Sequence, residues 1–326
     1  MNAAKFLSSP VSYRDLFALF ATVVALTFSA SQPALAEFGD PANKPLYKLP
    51  TIFADKNVRV VSDAKLSQAE GKWIVGVVED AIDFDTKAMA LNKEDVLKKG
   101  FCVAILSTPY LTKKLHSELG GETLELDLIE VCQETYEKDK ERFAVVVAHE
   151  MTHALVYRMF GTLNPRLLGW SRPWDEGFAQ TNENRFALAM HKKSYPAGHI
   201  KIRQGDRLLT ADDAVWLFKQ EKLVAIKKGY ELNEKDQQRW AGVVYPLGRE
   251  LIEFIRVNLN GHGYPDAVAK ISQVVAEMGK SHRKFDVVFQ EKFGIDYPSV
   301  QRQFIDHLRK TQNNMALRFK NSIFTP

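Results

Sequence analysis

The sequence predicts an α+β fold: an N-terminal lobe with a small mixed sheet, a central helix carrying His149-Glu150-Met151-Thr152-His153, and an all-helical C-terminal lobe. Three observations predict it. Apolar runs of strand length are confined to the first 140 residues or so. Residues 141–160 then form a long, mostly apolar stretch that stops at Gly161. Every patterned segment after residue 240 has the spacing of a helix. These boundaries divide the chain into a leader (1–36), an α/β lobe (37–140), a central helix pair (141–190), a polar insert (191–239) and a helical lobe (240–326).

Residues 37–57, with Pro41, Pro45 and Pro50, read as an extended lead-in. Val58 to Val61 is a short strand. Residues 67–83 place Trp73, Ile74, Val77, Val78 and Ile82 on one helical face. Phe101 to Leu106 is an apolar run of strand length. From Thr123 to Val131, Leu124, Leu126 and Leu128 alternate with Glu125 and Asp127, as in a strand with one wet face. After the helix at 141–160 comes a loop with Pro165 and Gly169, and a second helix starts near Pro173 and runs past Phe186. Residues 191–238 carry Lys192, Lys193, Lys201, Arg203, Lys227 and Lys228 and read as a solvated insert. Helices are expected at 240–259, 263–279, 283–293 and 297–312.

The first 36 residues have the pattern of an export signal. Lys5 and Arg14 supply a positive start, Leu16 to Ala30 is an apolar run of 15 residues, and Ala34-Leu35-Ala36 is a small-x-small cleavage pattern. A spanning helix needs about 20 apolar residues, so cleavage before Glu37 is expected rather than stable membrane insertion. The protein is then periplasmic or secreted. Such a compartment permits a disulfide between its two cysteines, Cys102 and Cys132, which fall in strand-like segments. The composition is that of an ordinary globular chain, 45% apolar and 26% charged. A net charge of +4 without a basic stripe excludes a nucleic-acid partner.

The chemistry lies in His149-Glu150-Met151-Thr152-His153. Residues four apart share a helix face, so His149 and His153 can reach one metal ion, and Glu150 lies beside them, placed to act as general base on a water. Chance alone yields His-acid-x-x-His in roughly two chains per hundred of this composition, so context has to decide. The preceding Phe143 to Ala148 is nearly all apolar, which buries the helix, and buried polar groups without compensation are costly. A catalytic zinc site takes three protein ligands. The third is expected in Trp174-Asp175-Glu176-Gly177-Phe178-Ala179, with Glu176 the leading candidate and Asp175 and Glu183 its rivals.

The pair His149-Glu150-Met151-Thr152-His153 and Trp174-Asp175-Glu176-Gly177-Phe178-Ala179 resembles the gluzincin metallopeptidases, specifically the bacterial peptidase MA-like group. Tyr245-Pro246-Leu247-Gly248-Arg249-Glu250-Leu251-Ile252 and Phe293-Gly294-Ile295-Asp296 to Phe304 extend the resemblance, which covers about residues 140–310 well and 58–140 in outline. It implies a zincin-like fold, one Zn²⁺ per chain on His149, His153 and Glu176, and Tyr245, placed just before a helix at 246–259, as a donor to the oxyanion. It also implies that the Thr123–Val131 strand receives an extended peptide. Gln180 stands where some gluzincins have an acid bracing a ligand histidine, so Asp175, Gln180, Asn182 and Glu183 are all candidates for that brace.

The expected activity is hydrolysis of peptide bonds in a peptide or protein substrate. The G-[AG]-M-x-N signature of related aminopeptidases is missing, which points to an endopeptidase. Two other readings stay open: a zinc amidohydrolase on a non-peptide substrate, and a zinc-containing cell-envelope binding or assembly module without turnover.

Overall fold

A computed structural model describes residues 44–114, 121–161, 168–191, 203–204, 207–208, 210–226 and 234–323. The expected leader at 1–36 and Lys192, Lys193, Lys201, Lys227 and Lys228 lie outside them. Among the described residues no helix is long and apolar enough to cross a membrane.

The fold is α+β with a mixed five-stranded sheet in the order β1-β2-β3-β5-β4. These strands are β1 (Thr51–Ala54), β2 (Val58–Ser62), β3 (Phe101–Leu106), β4 (Gly121–Thr123) and β5 (Leu128–Cys132). The central β2, β3 and β5 run parallel, and the edges β1 and β4 are antiparallel to their neighbours. Strand β3 is buried at all six residues, which explains its unbroken apolar run: strands covered on both faces lose the alternation. The expected single strand at Thr123–Val131 is instead two. The chain turns at 124–127, where Leu124 and Glu125 donate to the Leu128 carbonyl, and the alternating leucines belong mostly to that turn. The lead-in also departs from expectation, carrying β1 and a 3₁₀ turn at Leu46–Lys48.

Helix α1 (Gln68–Ala88) crosses one face of the sheet. Ser67 and Glu70 cap it reciprocally, Ser67 N–H donating to the Glu70 carboxylate at 2.7 Å and Glu70 N–H to Ser67 Oγ at 3.2 Å. Of three short helices, α2 (Lys93–Leu97) and α3 (Thr108–Lys114) lie on connections between strands, and α4 (Gln133–Lys138) leads from β5 to the next helix. Helix α5 (Lys140–Phe160) carries the two histidines. Asp139 caps its start, and Gly161 ends it in the left-handed region at φ 69°. It is buried nearly all round, against α1, β4, β5 and two later helices.

Arg158 fastens the end of α5 to the sheet lobe. Its guanidinium donates to the carbonyls of Leu126, Val96 and Gly100 and lies 3.5 Å from the centre of the Phe101 ring. Three carbonyls and an aromatic face compensate a charge that would otherwise be expensive to bury.

Helix α6 (Arg172–Ala189) starts with Pro173 in its first turn, where a missing N–H is harmless. It crosses α8 (Glu234–Val257) at two glycines. A Cβ on Gly177 would stand 2.2 Å from the Gly248 carbonyl carbon, and one on Gly248 would stand 2.2 Å from the Pro173 carbonyl oxygen. Only backbones without side chains approach so closely. Tyr245 lies inside α8, which begins at Glu234 and runs through Pro246, in keeping with the helix expected at 240–259 and not with a start at 246.

The region expected to be a solvated insert is partly core. A two-stranded ribbon, β6 (Arg203–Gln204) and β7 (Arg207–Leu208), precedes α7 (Ala211–Ile226). Ala211, Ala214, Leu217 and Phe218 of α7 are buried, and its Asp213 is fully buried against Arg239 at 2.7 Å. Helices α9 (Ala267–Ser281), α10 (Phe285–Phe293) and α11 (Tyr297–Ile323) complete the fold. Trp174 of α6 is packed among Phe285, Phe289 and Tyr297 at 5.0–5.7 Å between ring centres, fixing the start of α6 from outside.

Cys102 and Cys132 are both free, contrary to the expected bridge. They lie on adjacent strands, but Cys102 is level with Leu128 and Cys132 with Leu106. Four residues of stagger at ~3.3 Å each separates them by roughly 13 Å, far beyond disulfide reach. Intact mass after alkylation in denaturant without reductant should show two labelled thiols; an unlabelled protein would restore the bridge. The helix crossing gives a second expectation. Gly248→Ala should destabilise the protein by about 1–3 kcal/mol or more through overpacking, measured by denaturant unfolding. Unchanged stability would mean that the helices separate freely.

Candidate metal centre

Successive turns of α5 present His149 and His153 on one side, and the first turns of α6 bring Glu176 opposite them. The three ligand atoms converge. His149 Nε2 and His153 Nε2 are 3.1 Å apart, and Glu176 Oε2 lies 3.3 Å from the first and 3.4 Å from the second. Among the described residues this is the group of His, Cys, Asp and Glu whose donor atoms gather closely enough to hold a metal ion. Four ligands around a tetrahedral zinc, with bonds of about 2.0–2.1 Å, stand ~3.3–3.4 Å from one another. The donor set and its spacing therefore fit zinc.

The outward ring nitrogens are fixed by carboxylates. His149 Nδ1 meets Glu183 Oε2 at 2.5 Å and His153 Nδ1 meets Asp175 Oδ1 at 3.1 Å. With a hydrogen on each Nδ1, both Nε2 lone pairs face the common point, the usual arrangement behind metal-bound histidines. Glu183, two turns after Glu176, takes the bracing role for which Gln180 and Asn182 were also considered. Gln180 lies on α6 with its carbonyl bonded to Asn184, and Asn182 is fully buried with neither side-chain amide atom hydrogen-bonded. Asp175 is held in turn by Trp170 Nε1 at 3.2 Å and by the Tyr157 hydroxyl at 2.8 Å.

The electrostatics favour a cation. Burial alone would lower the histidine pKa values, but the carboxylates outweigh it: Glu176 and Glu183 hold His149 well above its usual value, and Asp175 and Glu176 raise His153 to about 10. Burial would raise Glu176, and Arg172, His153 and His149 instead pull it well below the ordinary carboxylate range. Arg172 binds Glu176 Oε1 at 2.6 Å, which leaves Oε2 directed at the histidines.

Glu150 is buried beside this point. Thr123 of edge strand β4 donates to Glu150 Oε2 at 2.9 Å and to its backbone carbonyl at 2.8 Å. Gly121 lies against the same side chain: a Cβ there would stand 3.1 Å from Glu150 Cγ. Tyr245 of α8 accepts a hydrogen bond from Arg172, and burial with nearby Glu176 raises its pKa. It remains a neutral phenol at neutral pH.

The structure thus gathers His149, Glu150, His153, Asp175, Glu176, Glu183 and Tyr245, and leaves Cys102 and Cys132 in the sheet. Sequence reasoning missed Arg172, Thr123, Tyr157 and Trp170. Arg172 had a signal, standing four residues before Glu176 on a helix; Thr123 had none, since only the fold brings β4 against α5.

No family model matches the sequence, and no curated protein resembles it. In structure it is similar to a point mutant of the M1 zinc metallopeptidase from Deinococcus radiodurans, with 12% identity and a TM-score of 0.38, over 78% of this chain and 50% of that one. The chain thus spans half the length of that enzyme.

Proposed function

We propose that the chain is an exported zinc peptidase of the endopeptidase type, binding one zinc per chain through His149, His153 and Glu176, and acting in the periplasm or outside the cell. The observation that carries the reading is the convergence of two imidazoles and a carboxylate at the spacing of zinc ligands, with each imidazole braced by a second carboxylate. The Ala34-Leu35-Ala36 leader supports export. Zinc bound there supplies a Lewis acid and lowers the pKa of water to about 7.

The chain's own residues supply the remainder. Glu150 accepts the proton of the attacking water and returns it to the leaving amine, and Thr123 holds its carboxylate in place meanwhile. Arg172 neutralises the far oxygen of Glu176 and donates to the Tyr245 oxygen, so the phenol hydrogen is left for the oxyanion of the tetrahedral intermediate. The edge of β4 receives the substrate as an added strand. The intact general base favours turnover over a purely structural zinc module.

Metal content and activity should separate. Glu150→Gln should keep about one zinc per chain and lose turnover on a peptide library, since it removes a base and no ligand. His149→Ala, His153→Ala and Glu176→Ala should lose the metal, read by elemental analysis of the purified proteins. Full zinc retention in Glu176→Ala would contradict the ligand set.

Tyr245→Phe should fold and bind zinc as the parent does, yet lose roughly 10²–10³ in kcat. Steady-state kinetics on a cleaved peptide test this, with thermal melts as the folding control. An enzyme within a few-fold of the parent would reduce Tyr245 to packing.

A further inference from the structure

Among the described residues strand β4 ends the sheet, with two faces and one unpaired edge. Gly121 and Thr123 turn toward α5, as their approach to Glu150 shows, so Glu122 between them points to the opposite face of the sheet. Directly across on β5 stands Glu130. Two carboxylates facing each other on neighbouring strands repel, an arrangement that sheets avoid without a counter-charge. Glu130 is 1% exposed, and its Oε2 has no hydrogen-bond partner. Burial, then Glu122 and Glu150, push its carboxyl up to about 8. Among the described groups the cation near Glu122 is Arg172, already engaged by Glu176 at 2.6 Å. Glu122 itself is exposed, at the rim where the strand ends the sheet.

The open edge states what would meet this pair. Leu124 N–H bonds to the Leu128 carbonyl, and hydrogen-bonded pairs recur at every second residue of an antiparallel ladder. Glu122 therefore turns its backbone groups inward to Glu130, while Gly121 and Thr123 turn theirs to the open edge. An extended peptide pairing with Gly121 and Thr123 sets one residue opposite Glu122 in the non-hydrogen-bonded position. There the Cα atoms approach to about 4.5 Å and side chains share a face. That residue's side chain projects onto Glu122, with Glu130 behind it.

Resting on the peptidase reading above, we propose that the Glu122–Glu130 pair is a specificity subsite that takes a lysine or arginine side chain of the substrate at the β4 rim of the sheet. The exposed carboxylate contacts the cation, and the cation's charge in turn favours ionisation of the buried Glu130, whose carboxyl is otherwise held up at about 8.

The test uses N-acetylated peptides of one cleavable sequence, with lysine, arginine, glutamate, glutamine or norleucine placed in turn at the three residues on each side of the scissile bond. For the zinc-loaded parent, lysine or arginine at one position should raise kcat/KM at least about tenfold over glutamine. In Glu122→Gln and Glu130→Gln that ratio should fall toward one, and in Glu122→Lys it should invert in favour of a glutamate peptide. Melting curves control for folding. Efficient cleavage without cationic preference at any position, or a preference that survives Glu122→Gln, overturns the subsite. The same peptides without the acetyl group are the control: a preference found only in them also overturns it, by reassigning the cation to the terminal amine. Absence of cleavage for every peptide is a different result: it sinks the peptidase reading, and the subsite with it.

Discussion

Two imidazole nitrogens 3.1 Å apart, each also close to one carboxylate oxygen, form an arrangement that a protein interior tolerates only for a reason. Desolvating ionisable groups is expensive by several kcal/mol each unless partners compensate. Here compensation extends outward in layers. Glu183 and Asp175 hold the imidazoles, Arg172 holds Glu176, and Trp170 and Tyr157 hold Asp175. The result is a point surrounded by acceptors and negative charge, which suits a small divalent cation.

Much of the surrounding fold serves to bring α5 and α6 to that point. The two helices must be close and must not slide. Gly177, next to Glu176, lets α8 lie directly on the backbone of α6, so that Tyr245 and Glu176 reach the same place from different helices. Trp174, two residues before Glu176, is wedged among Phe285, Phe289 and Tyr297. Arg158 fixes the far end of α5 to three carbonyls of the sheet lobe. Ligands set on packed helices keep their geometry better than ligands on loops.

Legibility in the sequence followed the range of each interaction. The i, i+4 histidines, the Gly161 stop of α5 and the apolar run of β3 are local patterns, and the fold class follows from their order. Glu176 was readable because Gly177 and the aromatic residues around it mark a tight helix start. Choosing Glu183 over Gln180 as the brace needed the actual rotation of α6 against α5. The 191–238 region misled because its charges dominate the composition, while the buried Ala214, Leu217 and Phe218 on one face of α7 are few. The Thr123–Val131 alternation misled because a turn of charged and leucine residues imitates a strand's period. The cysteines could not be settled by proximity in sequence, since register decides which residues are level across parallel strands.

The account depends on a metal at one defined point. Anomalous diffraction at the zinc edge from crystals of the metal-loaded protein tests it most directly. The expected result is one peak per chain at about 2.0–2.2 Å from His149 Nε2, His153 Nε2 and Glu176 Oε2, with each Nδ1 still on its carboxylate. A peak elsewhere, or ordered density for His149 and His153 with no metal between them at saturating zinc, would contradict it.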